Sequence, residues 1–285
     1  MLCVFATLAA IPARAAELKP ETAAFFDRYI RAVEARMDDD IRDNQFLVVD
    51  RLPESRREQA YAQLKLGHIF IEELHAREDD GPVRIQNALI HHWSGVIFIP
   101  RTTLSEVLAV LQDYDHHENI YKPQIRRSNL IEHSGNESRI YFQLFSKSIV
   151  TVVLNADFDV RDSEFGRLRY QIASRSTRIA EVVNQGTPTE HEHPVGNDHG
   201  YMWRLYTYWR VEEKDGGVYV QNESVALSRS VPAILAWLVN PLVKSIPRDI
   251  LLHLLTDTRN AVISPAGRSE SAEYQPMSAT LVPHR

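Results

Sequence analysis

Between residues 87 and 228 runs of β-type residues alternate with short polar turns, and a long apolar helical stretch then follows. Few folds admit that order. The runs are Asn87 to Ile99, ended by Pro100, then Gln124 to Glu132, Ser138 to Ser148, Ile149 to Arg161, Arg167 to Val183 and Tyr201 to Glu212. Val218 to Ser228 follows the Asp215-Gly216-Gly217 turn. Parallel neighbours would need crossovers of about a dozen residues, so the short turns predict antiparallel pairing. After the first run, Thr102 or Thr103 caps a helix with Glu106 in its first turn and Leu104, Val107, Leu108 and Leu111 as its stripe. Pro232 to Val262 has a helical pattern interrupted at Pro241 and Pro247, which predicts a short helix, a break and a longer helix carrying Leu251, Leu254, Leu255 and Val262. The expected architecture is α+β, a twisted antiparallel sheet with the long C-terminal helix packed on it.

Upstream, apolar residues recur at helical spacing from Pro20 to Met37, and a second helical pattern runs from Pro53 to Leu66 and stops at Gly67. His68 to Leu74 reads as a short strand before the turn at Asp79-Asp80-Gly81-Pro82. Residues 16–80 are expected to pack as a helical extension on the sheet's outer face or edge, residues 83–264 to form the main domain, and residues 265–285, rich in Ser, Pro and Ala, to be disordered. Leu2 to Ile11 is apolar, and Ala13-Arg14-Ala15 fits the small-x-small pattern of signal-peptide cleavage. A signal peptide over 1–15 and a periplasmic or secreted protein are therefore expected. The only cysteine, Cys3, lies in that segment, so the mature chain is expected to have no disulfide and no thiolate chemistry. The net charge of −6 comes from 38 acidic and 32 basic residues with no basic run, which argues against a nucleic-acid partner.

The order strand, short helices, antiparallel strands, long C-terminal helix resembles the START-like (SRPBCC) helix-grip superfamily over Asn87 to Val262. Ser174-Arg175-Ser176-Thr177-Arg178-Ile179, Asn197-Asp198-His199-Gly200, Trp203-Arg204-Leu205, Tyr208-Trp209-Arg210 and Leu227-Ser228-Arg229 resemble a bacterial group of such domains. The superfamily includes lipid-transfer, polyketide cyclase or aromatase, and coenzyme Q-binding proteins. The resemblance implies a fold and a cavity between sheet and helix, not one activity.

Period-2 alternation identifies the strand residues that face such a cavity. Inward candidates are Ile140, Phe142 and Leu144, then Val152, Leu154, Ala156 and Phe158, then Leu168, Tyr170 and Ile172. Continuing the parity adds Ser174, Ser176 and Arg178, then Trp203, Leu205, Thr207 and Trp209, then Val218, Val220, Asn222 and Ser224. Most are core by burial preference, while polar groups in an apolar wall orient a ligand. Trp203, Thr207, Trp209, Asn222, Ser224, Tyr170, Ser174, Ser176, Arg178 and Trp237 form the candidate ligand set, with Trp237 in the apolar stretch 232–243 that is either a buried cap or a membrane-facing gate. His91-His92 and His116-His117 are doublets, of which at most one member each faces the cavity. Arg175, Arg178, Arg204, Arg210 and Arg229, with Asp157, Asp159 and Glu223, read as a solvated outer face laced with ion pairs, the alternative being an arginine in the pocket that holds a carboxylate or phosphate headgroup. His191, His193 and His199, beside Glu190, Glu192 and Asp198, are a chemically competent zinc set. On an irregular loop they lack fixed ligand geometry, and no metal, cofactor or catalytic residue is assigned. The leading expectation is a carrier for a lipid or other apolar small molecule in the cell envelope, with transient membrane contact. The alternatives are a cyclase or aromatase-type enzyme, in which Arg178 or Tyr170 moves protons, and an interaction domain with a filled core.

Overall fold

The computed structural model describes residues 16–75, 77–78, 81–82, 88–147, 150–230 and 233–263, the side chains of 16, 77–78, 81–82 and 233–245 excepted. Residues 1–15, the side chain of Trp237 and the tail 265–285 lie outside the described residues. The chain forms α1 (Pro20–Arg42), α2 (Glu54–Lys65), β1 (Phe70–Glu73), β2 (Ala88–Pro100), α3 (Leu104–Leu111) and α4 (His117–Ile120). There follow β3 (Ile125–Ser134), β4 (Glu137–Lys147), β5 (Thr151–Glu164), β6 (Arg169–Val183), β7 (Arg204–Lys214), β8 (Gly217–Arg229) and α5 (Ala233–Ile263). The strands make one sheet in the order β1-β2-β8-β7-β6-β5-β4-β3, to which the two-residue strand His191–Glu192 adds beside β6. Every pairing in it is antiparallel, as the short turns require.

The turns and caps follow from local chemistry. Lys214 pairs with Gly217 across Asp215 (φ 59°) and Gly216 (φ 75°), a two-residue hairpin turn with positive φ at both central positions. Thr103 caps α3, its hydroxyl accepting from the Glu106 N–H while the Glu106 carboxylate accepts from the Thr103 N–H at 2.8 Å. α5 departs from expectation, because it runs unbroken from Ala233 to Ile263 through Pro241 and Pro247. Each proline withdraws one amide donor, and with five residues between them the hydrogen bonds on either side hold the helix together. Edge strand β3 carries register irregularities between Ile125 and Arg127 and between Leu130 and Glu132.

The two faces of the sheet bury different things. On the inner face Ile97, Ile99, Ile140, Leu154, Phe158, Ile172, Val211, Val218 and Val220 form one core with Leu251 and Leu255 of α5. Gly95 of β2 lets the helix approach, since a Cβ there would lie 2.7 Å from Leu255 Cδ1 and 3.2 Å from Phe70 O. On the outer face Phe26, Tyr29, Ile30, Val33 and Met37 of α1 cover Tyr208, Val225 and Leu227.

That outer face is solvated and ion-paired only in part: Arg175 and Arg178 pair with Glu34 and Glu192 at the surface, whereas Arg210 and Glu223 are buried. Arg210 is 1% exposed and donates to Gln171 Oε1 (3.0 Å), Phe46 O (2.9 Å) and Met37 O (3.0 Å). Glu223, wholly buried, accepts from Arg36 and from His92 Nε2 (2.7 Å), and the Tyr29 hydroxyl lies 2.8 Å from Nδ1 of the same ring. Burial lowers the pKa of His92, so the neutral ring donates to Glu223 and accepts from Tyr29. Burial opposes the charge on Glu223, but the His92 bond and the Arg36 and Arg210 charges hold its pKa below the ordinary value. Replacing Arg210 by Met removes a buried cation and leaves two main-chain acceptors without their donor. Urea unfolding of Arg210→Met is expected to lose about 3–5 kcal/mol. By contrast, Arg175→Ala, which breaks the surface pair with Glu34, is expected to lose less than about 1 kcal/mol.

Candidate functional site on the inner face of the sheet

Among the described residues, the inner face is wholly buried at one end and partly buried at the other. At the wholly buried end Ile97, Ile99, Val211, Val218 and Val220 have no exposed surface. Toward the end where β8 leads into α5, the same-face residues His91, Trp93, Leu205, Thr207, Trp209 and Ser224 are only partly buried. The register explains their chemistry. Ser174, Thr207, Ser224 and Trp93 stand in one row across β6, β7, β8 and β2, so three hydroxyls cross adjacent strands on one face. The neighbouring row is Ile172, Trp209, Asn222 and Gly95. Asn222 is wholly buried, its Oδ1 accepts from Ser224 Oγ at 2.7 Å, and its Nδ2 has no hydrogen-bond partner among the described residues. A buried amide N–H without an acceptor is costly, and a ligand oxygen would satisfy it.

Nine of the ten candidate ligand residues have described side chains, and seven of them share one face. Thr207, Trp209, Asn222, Ser224, Ser174, Ser176 and Tyr170 project from the inner face, as the alternation predicted. Ser176 is already engaged, its hydroxyl accepting the Leu205 N–H at 3.0 Å. Arg178 is on the other face. Phe158 pairs with Ser176 but Asp157 with Arg178, so one extra residue at Thr177 forms a bulge and reverses the parity beyond it. Arg178 accordingly pairs with Glu192.

Trp203 also departs from the set. It precedes β7, belongs to the cluster beneath α1, and donates from Nε1 to Asp198 Oδ1 at 3.1 Å. Leu168 lies in the turn before β6 and is 52% exposed. Of the doublets, His91 faces inward, its Nε2 2.9 Å from Ser228 Oγ, and His92 outward. His117 is buried against Tyr114, Tyr121 and Phe142, while the His116 ring meets Asp113 at the surface.

Pairing of β2 with β8 and the laying of α5 across the inner face decide the architecture. The fold is a helix grip, an antiparallel sheet with the C-terminal helix laid across its inner face. Solved structures similar to this chain include a STAR-related lipid transfer protein from Xanthomonas axonopodis, 15% identical over 64% of this chain and 97% of its own, TM-score 0.43. The Zhui aromatase/cyclase from Streptomyces sp. R1128 is 10% identical over 63% of this chain and 99% of its own, TM-score 0.42. Human STARD10 is 9% identical over 75% and 81%, TM-score 0.41. No family model and no curated protein matches the sequence.

The grip also holds titratable groups that alternation did not single out. Asp162, on the inner face of β5, accepts from Gln112 Nε2 (2.8 Å), which also donates to the Tyr170 hydroxyl (3.1 Å). Burial raises the pKa of both Asp162 and Tyr170. Burial holds His117 down at about 4 and pushes Asp257 of α5 up to about 7. Because the folded-state pKa of Asp257 lies above its ordinary value, the folded protein holds the extra proton and loses stability as pH rises through about 7. The Tm of Asp257→Asn relative to wild type is expected to rise between pH 5 and pH 8, read by thermal melts across that range.

Proposed function

We propose that the protein binds a lipid or other apolar small molecule on the partly buried half of the inner face, as a carrier in the cell envelope and without catalysing a reaction on it. The observation that carries this reading is the hydroxyl row Ser174, Thr207 and Ser224, flanked by partly buried Trp93 and Trp209 and backed by the unpartnered Asn222 amide. An apolar wall with a few converging polar groups suits a ligand that has an apolar body and one or two oxygen atoms to orient. A filled-core interaction domain would bury both ends of the face alike. The cyclase reading loses one of its two proton-moving candidates, because Arg178 projects from the outer face.

Export remains part of the proposal and rests on Leu2 to Ile11 and Ala13-Arg14-Ala15. Transient membrane contact through the apolar stretch 232–243, with Trp237, belongs to it as well. Among the described residues no helix is long and apolar enough to cross a membrane.

Native mass spectrometry and organic extraction of protein recovered from a bacterial envelope fraction test the reading. The expected result is a chain beginning at Ala16 with about one apolar molecule bound. Thr207→Val, which keeps the volume and removes the hydroxyl, is expected to weaken an oxygen-bearing ligand about fivefold to tenfold with an unchanged Tm. An apo mass that does not shift when fatty-acid and isoprenoid probes are added would remove the carrier reading.

A further inference from the structure

The loop from Asn184 to Gly200 is held more firmly than its composition suggests. Where β7 leaves the sheet, His191–Glu192 takes its place beside β6, His191 opposite Val183 and Glu192 opposite Val182. The His193 N–H extends this ladder by donating to Glu181 O at 2.8 Å, which sets His193 across from Glu181. On its other side the loop is pinned by pairing of Ala16 and Glu17 with Asp198 and Asn197, and by the Leu18 N–H on Gly196 O (2.7 Å).

Glu181 is the fixed point. It pairs with Leu154, a residue of the inner core, so its buried carboxylate projects from the same face at the rim of the grip. Its Oε2 accepts the His199 N–H at 3.1 Å and its Oε1 lies 2.6 Å from His199 Nδ1. Asp198 Oδ1 accepts from the Gly200 N–H (2.7 Å) and from Trp203 Nε1 (3.1 Å), which fixes the turn that carries His199. The rings of His193 and His199 are 5.2 Å apart at a steep angle.

One ligand atom from each of Glu181, His193 and His199 lies within 4.8 Å of the others. Donor atoms around a tetrahedral zinc ion, bound at about 2.0–2.2 Å, are roughly 3.3 Å apart, which modest side-chain rotation would reach from here. Two imidazoles and a carboxylate form a borderline donor set of the zinc class, and three protein ligands leave one position for water.

We propose that Glu181, His193 and His199 bind one divalent ion of the zinc class at the rim of the grip. His191 is outside the set. Its ring is exposed and its Nδ1 lies 2.9 Å from Thr189 O. This site does not depend on the apolar-ligand reading, since its donors are distinct from the hydroxyl row.

The test titrates Zn²⁺ into tag-free, chelator-stripped protein by calorimetry, with Co²⁺ absorption as the report on coordination geometry. One equivalent of Zn²⁺ and intense tetrahedral-type Co²⁺ bands are expected. His193→Ala and His199→Ala should each weaken Zn²⁺ at least about tenfold, a loss seen even on removal of outer-shell partners, and His191→Ala should leave it unchanged. His193 is partly exposed, so its variant tests the site without opening a buried hole, and far-UV circular dichroism confirms that each variant is folded. Lack of saturable binding at one equivalent, or an equal loss in His191→Ala, would overturn the proposal and leave the Glu181–His199 contact as a structural tie.

Discussion

The buried charges between α1 and the sheet set the terms for the rest of the molecule. Arg210 and Glu223 stand on the outer faces of adjacent strands, and both are essentially without solvent. Taking them out of water is costly unless each meets partners. α1 and the segment after it supply Arg36 to Glu223 and the Met37 and Phe46 carbonyls to Arg210, while Tyr29 holds the His92 ring that meets Glu223. The N-terminal helix is therefore bound to this face by hydrogen bonds as well as by Phe26, Ile30 and Val33. The outer face is thus covered by α1, and the inner face by α5.

On the inner face, aliphatic side chains fill the end where Val218, Val220, Ile97 and Ile99 meet the core, and small polar residues occupy the other end. Leu251 and Leu255 of α5 join this core, and Gly95, in the row of Trp209 and Asn222, admits the helix against β2. Ser174, Thr207 and Ser224 set three hydroxyls in one row across adjacent strands at that end.

Much of this was legible in the sequence. The fold class follows from consecutive strands, short turns and a terminal helix, and the face assignments on β7 and β8 hold because no bulge interrupts Arg204 to Arg229. Alternation failed at Arg178, where the bulge at Thr177 carries no glycine or proline to announce it. It failed at Trp203 because that residue precedes the strand. Periodicity also reports which face a residue takes, not what covers that face, so Arg210 and Glu223 read as solvated. Glu181 had a usable signal, a lone carboxylate in the apolar run Ile179-Ala180-Glu181-Val182-Val183. Its partners come from a loop whose anchoring is tertiary, and no spacing rule joins it to His193 and His199.

The irregular pairing of β3 bears on how the molecule behaves in a crowd. A long antiparallel sheet ends in a row of amide and carbonyl groups that can recruit a strand from another molecule. Here one border is the short strand β1 and the other is β3, whose register slips twice and whose surface carries Arg126, Arg127 and Glu132. A broken register and interspersed charge deny an incoming strand a straight template. The sheet can therefore stay open at both borders, as a grip requires, without seeding fibrillar assembly.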